Sequence, residues 1–171
     1  MDNPLFFIAL IGAVIVVAIF LPRWIRRSSR SASGRASGRF VDSRLAEILD
    51  VLGATLVLRA SEGAAREIVD SVVLQQPRRF TVLSDGGYGI RFIEPDDSLV
   101  RLVETADGTR IQVERFCEYL GKPNTSPAWA DLRSLVAAAA SAQGVSVEAG
   151  PPVHHRRDPQ SGIWMLDEAT P

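Results

Sequence analysis

The chain has 171 residues, 46% hydrophobic and 23% charged, which excludes a disordered polypeptide and leaves room for one ordinary domain plus accessory segments. Its net charge of −1 conceals a division: residues 22–41 carry six arginines and no acid, whereas the chain from Asp42 onward carries 13 basic and 19 acidic residues. The single cysteine, Cys117, excludes an intramolecular disulfide and a cysteine-built zinc site.

Residues 5–21, LFFIALIGAVIVVAIFL, are seventeen consecutive positions without a charged or polar side chain. At a helical rise of about 1.5 Å per residue they span roughly 26 Å, and the flanks from Pro4 to Trp24 extend this toward the ~30 Å thickness of a bilayer core. A helix satisfies its own backbone in lipid, so residues 1–22 are expected to form a single transmembrane anchor. A cleaved signal peptide would need a basic start and a small-residue cleavage site; this chain starts MDN and runs into Pro22 and arginines. Arg23, Arg26, Arg27 and Arg30 follow the apolar run at once, with Trp24 at headgroup depth. The excess of positive charge places the C-terminal side in the cytoplasm and the N-terminus outside, at the inner membrane of a cell. One lysine, Lys122, against many arginines, together with abundant alanine, suggests GC-rich bacterial coding.

Residues 23–41 read as a basic linker rich in serine and glycine, a composition that gives a flexible tether. Its arginines suit the anionic headgroups of the inner leaflet, each contributing on the order of 1 kcal/mol near the surface. The lipid bilayer is thus the first expected partner. Nucleic acid is not expected, because no aromatic residue lies between Trp24 and Phe40 and the attached domain is acidic.

Residues 42–150 are expected to form an α+β domain. Asp42 caps a helix in which Leu45, Ile48, Leu49 and Leu52 form one stripe, and Gly53 stops it. Residues 54–60, ATLVLRA, fit a short buried strand, with a continuing helix as the alternative. Ser61 caps a second helix that turns Ile68, Val69, Val72 and Val73 inward and ends at Pro77. The period then changes from helical to alternating. RRFTVLS (78–84), YGIRFIE (88–94), SLVRLVETA (98–106) and TRIQVERFCEYL (109–120) read as a four-stranded antiparallel meander packed against two to three helices. Asp107-Gly108 is expected as a two-residue hairpin loop, which pairs Ala106 with Thr109, Leu102 with Val113, and Arg101 with Glu114. Ser126 is expected to cap a third helix through Trp129, Leu132, Leu135 and Val136, with Pro127 at its first position. Residues 145–149 are expected as an edge strand.

Residues 151–171 begin with Pro151-Pro152. They form either a small hairpin closed by Asp158-Pro159-Gln160-Ser161-Gly162 or a loose tail. In the second case Trp164, Met165 and Leu166 are an apolar anchor for docking on a partner protein or on the domain itself.

Few residues suggest chemistry. Gly86-Gly87-Tyr88-Gly89 leads into a strand rather than a helix, so a hairpin turn is expected instead of a phosphate loop. His154 and His155 are adjacent, point to opposite faces of a strand and chelate poorly. Asp96 and Asp97 read as a solvated turn, and Arg78 and Arg79 as charges that blunt a strand. Cys117 reads as a buried, inert thiol. No catalytic residue, cofactor or metal site is expected. The sequence thus points to a single-pass membrane protein with a cytoplasmic, non-enzymatic interaction or regulatory domain. The alternatives are an anchored small-ligand sensor or enzyme, its rim at Gly86–Gly89 with Tyr88, Asp96 and Asp97, or an accessory subunit of a larger membrane complex.

Overall fold

Leu45, Ile48, Leu49 and Leu52 turn one stripe inward, and they do so on a first helix, α1, over residues 43–53. The computed structural model describes residues 43–167. The expected anchor, the basic linker and the capping residue Asp42 lie outside the described residues. Among those described, no helix is long and apolar enough to cross a membrane.

The fold is α+β, with three helices and an antiparallel sheet among the described residues. After α1 come β1 (Leu56–Leu58), α2 (Glu62–Gln75), β2 (Phe80–Val82), β3 (Tyr88–Ile90), β4 (Ser98–Thr105) and β5 (Gly108–Phe116). A two-residue pair, β6 (Glu118–Tyr119) and β7 (Lys122–Pro123), leads into α3 (Ser126–Ala142). Three short strands follow: β8 (Val147–Ala149), β9 (His155–Arg157) and β10 (Trp164–Leu166).

The expected meander β2-β3-β4-β5 is present, as half of an eight-stranded sheet. Strand β5 is long enough for two neighbours to share its second edge. β1 takes residues 109–111 and carries β8 beyond it, while β10 takes residues 115–116 and carries β9. Residues 54–60 therefore contribute a strand, residues 147–149 are an edge strand, and the tail hairpin joins the sheet.

Four sequence expectations change in detail. The β4–β5 hairpin closes at Ala106-Asp107, not Asp107-Gly108, so Thr105 pairs with Gly108, Leu102 with Ile111 and Arg101 with Gln112. Gly108 opens the strand at a position that needs glycine, since a Cβ there would meet the Leu58 carbonyl oxygen at 2.2 Å and a φ of +131° is disfavoured for other residues. The two-residue slip preserves which face each side chain takes, and Arg101 still reaches Glu114 diagonally at 2.8 Å. Strand β3 ends at Ile90 rather than Glu94, β5 ends at Phe116 rather than Leu120, and α3 is capped by Thr125 rather than Ser126. The Thr125 hydroxyl makes no cap bond, because it is engaged by Ser98 Oγ at 2.5 Å.

The helices cover one face of the sheet. Trp129, Tyr88, Phe80 and Phe116 are the largest of the fully buried side chains, packed with Leu52, Leu58, Ile68 and Leu132. Burying each stabilises the fold by roughly 1.5–3 kcal/mol. Two polar atoms carried into this layer are paired: Trp129 Nε1–H donates to the Ala54 carbonyl at 3.1 Å, and the Tyr88 hydroxyl donates to Asp70 at 2.8 Å. That bond and burial, burial being the larger influence, push the Tyr88 hydroxyl far above its ordinary pKa.

Candidate functional site

Two surfaces of the domain are built by specific polar contacts. The first is the C-terminal hairpin. Trp164 pairs with Phe116 at the end of β5, stacks on its ring at 5.8 Å between centroids, and is almost wholly buried. Its Nε1–H donates to Glu118 at 3.0 Å, and the other Glu118 oxygen accepts from Arg157. The Arg157 hydrogen bond, ahead of that from Trp164, holds the Glu118 carboxyl below the usual range. The Val113 carbonyl falls between the two neighbours that share β5, and the His155 ring takes it at 2.9 Å. A carbonyl only accepts, so His155 carries its proton on Nε2. The same ring meets Phe116 edge-on at 4.9 Å. Burial pulls the His155 pKa down and outweighs the upward pull of the Val113 bond.

With Trp164 turned inward, its neighbour Met165 faces out, half exposed, directly across from exposed Arg156. Leu166 is partly buried. Of the three expected docking residues, Trp164 is thus used to fasten the hairpin, and Met165 is the one presented to solvent. Beyond Arg156 the edge of β9 has no strand partner among the described residues.

The second surface is organised by Asp97, which is buried and not the solvated turn residue that the sequence suggests. Its Oδ2 accepts the backbone N–H groups of Phe92 (3.1 Å), Ile93 (2.6 Å) and Glu94 (2.8 Å), and its Oδ1 accepts the Tyr119 hydroxyl at 2.5 Å. Burial pushes this carboxyl up, but the bonds from Tyr119 and the three amides prevail and hold it below its ordinary value. The Asp97 bond in turn pushes the Tyr119 hydroxyl up to about 12. The Arg91 amide still donates across to the Arg79 carbonyl at 2.8 Å, and from Phe92 to Glu94 the amides turn toward the carboxylate, so the strand does not run on to Glu94. The loop folds back over Gly89, where a Cβ would meet the Pro95 carbonyl oxygen at 2.2 Å.

The consequence is an apolar pair of turns. Phe92 and Ile93 are 51% and 56% exposed, and the Phe92 ring lies 5.6 Å from that of Tyr119. Tyr119 leads into the two-residue turn Leu120-Gly121 that joins β6 to β7. Leu120 is fully exposed at φ +54°, the only non-glycine residue at positive φ among those described. Such a turn favours asparagine or glycine at that position, so leucine is disfavoured there both by its backbone and by its exposure. Arg91 and Lys122 flank the turns, both exposed and neither in an ion pair among the described residues.

The remaining sequence candidates are occupied structurally. Gly86 and Gly87 form the β2–β3 turn, tied down by Arg66 on the Gly86 carbonyl at 2.7 Å and by Asp85 on the Gly87 amide at 3.0 Å. Asp96 pairs with Arg115 at 2.8 Å and Arg79 with Asp131 at 2.6 Å. Cys117 is half-buried, and burial, reinforced by the nearby Asp97 charge, pushes its thiol up. No group of three or more His, Cys, Asp or Glu suited to a metal occurs among the described residues. Arg23, Trp24, Arg26, Arg27 and Arg30 lie outside them. The Asp97 surface escaped the sequence reading because RFIE alternates like a strand. The available signals were Pro95-Asp96-Asp97 just after it and Leu-Gly in a turn position. Comparison with protein families, curated proteins and solved structures finds no match to this chain.

Proposed function

We propose that the chain is a single-pass membrane protein, anchored by residues 1–22 with its N-terminus outside. Its α+β domain works on the cytoplasmic side as a non-enzymatic interaction or regulatory module for a protein partner. One observation supports this reading above the others. The C-terminal hairpin is fastened to the sheet through Trp164, and so holds Met165 and Arg156 outward beside an unpaired strand edge. A strand edge with an exposed apolar anchor suits a peptide or strand of another protein, which adds backbone hydrogen bonds to the sheet and seats a side chain on Met165. The basic flank at Arg23, Trp24, Arg26, Arg27 and Arg30 is the proposed contact with anionic inner-leaflet headgroups.

The test is a crosslinking pull-down from native membranes with the full-length chain and its Met165→Glu variant. The substitution is on the surface and leaves Trp164 in place, so folding is retained. One dominant partner captured by the wild type and lost by the variant is expected. Equal recovery by both would remove the hairpin as the docking surface.

A further inference from the structure

We infer that the paired turns at Phe92-Ile93 and Leu120 are a second, peripheral membrane contact, which seats the domain on an anionic bilayer surface. This goes beyond the capture of a protein partner and rests on the membrane-anchor reading of residues 1–22.

Three observations converge on a bilayer as the occupant. The exposed side chains are apolar and stand on a bend at residues 92–93 and on the two-residue turn at Leu120, where a shallow insertion among headgroups reaches them without a complementary groove. The charges beside them suit a polyanionic surface. Arg91 and Lys122 are exposed and unpaired, whereas Asp97 is buried, Asp96 is held by Arg115 and Glu118 by Arg157. Glu94 is the one exposed, unpaired carboxylate on these turns, so the tips carry two free cations against one free anion. Finally, the tips are held rigidly. A single buried carboxylate ties the backbone of the first turn to the tyrosine that opens the second, and Leu120 stays in a left-handed conformation that its side chain disfavours. Phe92 and Leu120 supply apolar insertion, Tyr119 an amphipathic ring at the interface, and Arg91 and Lys122 contacts to lipid phosphate.

The test uses the full-length chain in nanodiscs of phosphatidylcholine with phosphatidylglycerol, in a Cys117→Ser background. An environment-sensitive fluorophore is attached in turn through Ile93→Cys, Leu120→Cys and, as a control, Ser141→Cys. Ser141 is exposed near the far end of α3, about 24 Å along the helix from the N-terminus that Thr125 pins to Ser98. Lipids carrying a headgroup nitroxide serve as quencher. Loss of fluorescence at positions 93 and 120, with none at 141, is expected, and Arg91→Gln with Lys122→Gln is expected to restore it at both. Quenching at 93 and 120 no greater than at 141 overturns the inference, whatever protein covers the turns in cells. The anchor is read separately, by retention of the chain in the disc through an alkaline carbonate wash. If the chain is not retained, the anchor reading fails. The same labelled proteins mixed with anionic vesicles then decide the turns alone: quenching at 93 and 120 sustains the contact, and its absence overturns it.

Discussion

Leu120 is where conformation and solvation agree that the residue is misplaced, and that agreement makes it informative. A leucine at φ +54° crowds its Cβ against its own carbonyl, and its full exposure returns nothing from burial. Asparagine tolerates that conformation and is the favoured companion of a following glycine in a two-residue hairpin loop. Leu120→Asn is therefore expected to stabilise the domain by about 0.5–1 kcal/mol, read as a higher urea midpoint at unchanged slope. The same change is expected to weaken the membrane contact of the turns. Gain in stability together with loss of contact is what a residue kept for binding predicts; unchanged or lower stability would mean that local packing accounts for Leu120. Asp97 gives the complementary lesson. Its position after Pro95 suggests an exposed turn, and only the folded chain reveals that four donors converge on it.

At the scale of elements, the hairpin of β9 and β10 closes the sheet over the unshared stretch of β5, and His155 is the residue that fills the gap. Its pKa is lowered by burial, so the folded state prefers the neutral ring while the unfolded chain takes up a proton near pH 6.5. The contribution of His155 is complete above about pH 6.5 and is lost as pH falls through its lowered folded value. Glu118, held low by Arg157 and Trp164, stays ionised over that range and adds no slope of its own. Amide exchange in residues 155–157 and 164–166 is expected to accelerate between pH 7 and pH 5, after correction for intrinsic rates, and more than in β4 and β5. His155→Gln, whose amide still donates to Val113, is expected to flatten that difference; an equal change in the variant would assign the effect elsewhere. Much of this element was legible beforehand, because the turn residues 158–162 and the flanking strand residues mark a hairpin. The pairing of Trp164 with Phe116 was not, since contacts between residues so far apart in sequence leave no local period. The same limit applies to the β4–β5 hairpin: Asp-Gly marks a turn, but the Leu58 carbonyl that leaves no room for a side chain at Gly108 comes from β1, distant in sequence. Helical stripes such as Ile68, Val69, Val72 and Val73 were legible in full, because one period encodes both the element and its buried face.

For the whole molecule, on the anchor reading, the partition of charge and the length of the linker together set how strong the proposed contact at the turns has to be. The chain from Asp42 onward carries 13 basic and 19 acidic residues, so its net charge opposes approach to an anionic surface. At physiological salt that opposition is screened beyond ~8 Å, and only groups at the surface itself, Arg91 and Lys122 among them, are felt strongly. Attraction of so local a kind is weak, and on the anchor reading the linker supplies what it lacks. On that reading the linker is the nineteen residues 23–41, and a flexible Ser/Gly-rich chain of that length would have a root-mean-square span of roughly 24 Å. A domain of this size has a radius of gyration of about 14 Å, so on the same anchor reading a linker of that span would keep its turns within reach of the bilayer. The resulting effective concentration is of millimolar order and falls roughly as the −3/2 power of linker length. Inserting eighteen further Ser and Gly residues after Gly38 is therefore expected to lower the occupancy of the turns on the bilayer about threefold, measured as lipid-nitroxide quenching at position 93. Undiminished quenching in the lengthened chain would mean that the turns hold the bilayer by themselves, with the linker contributing no proximity.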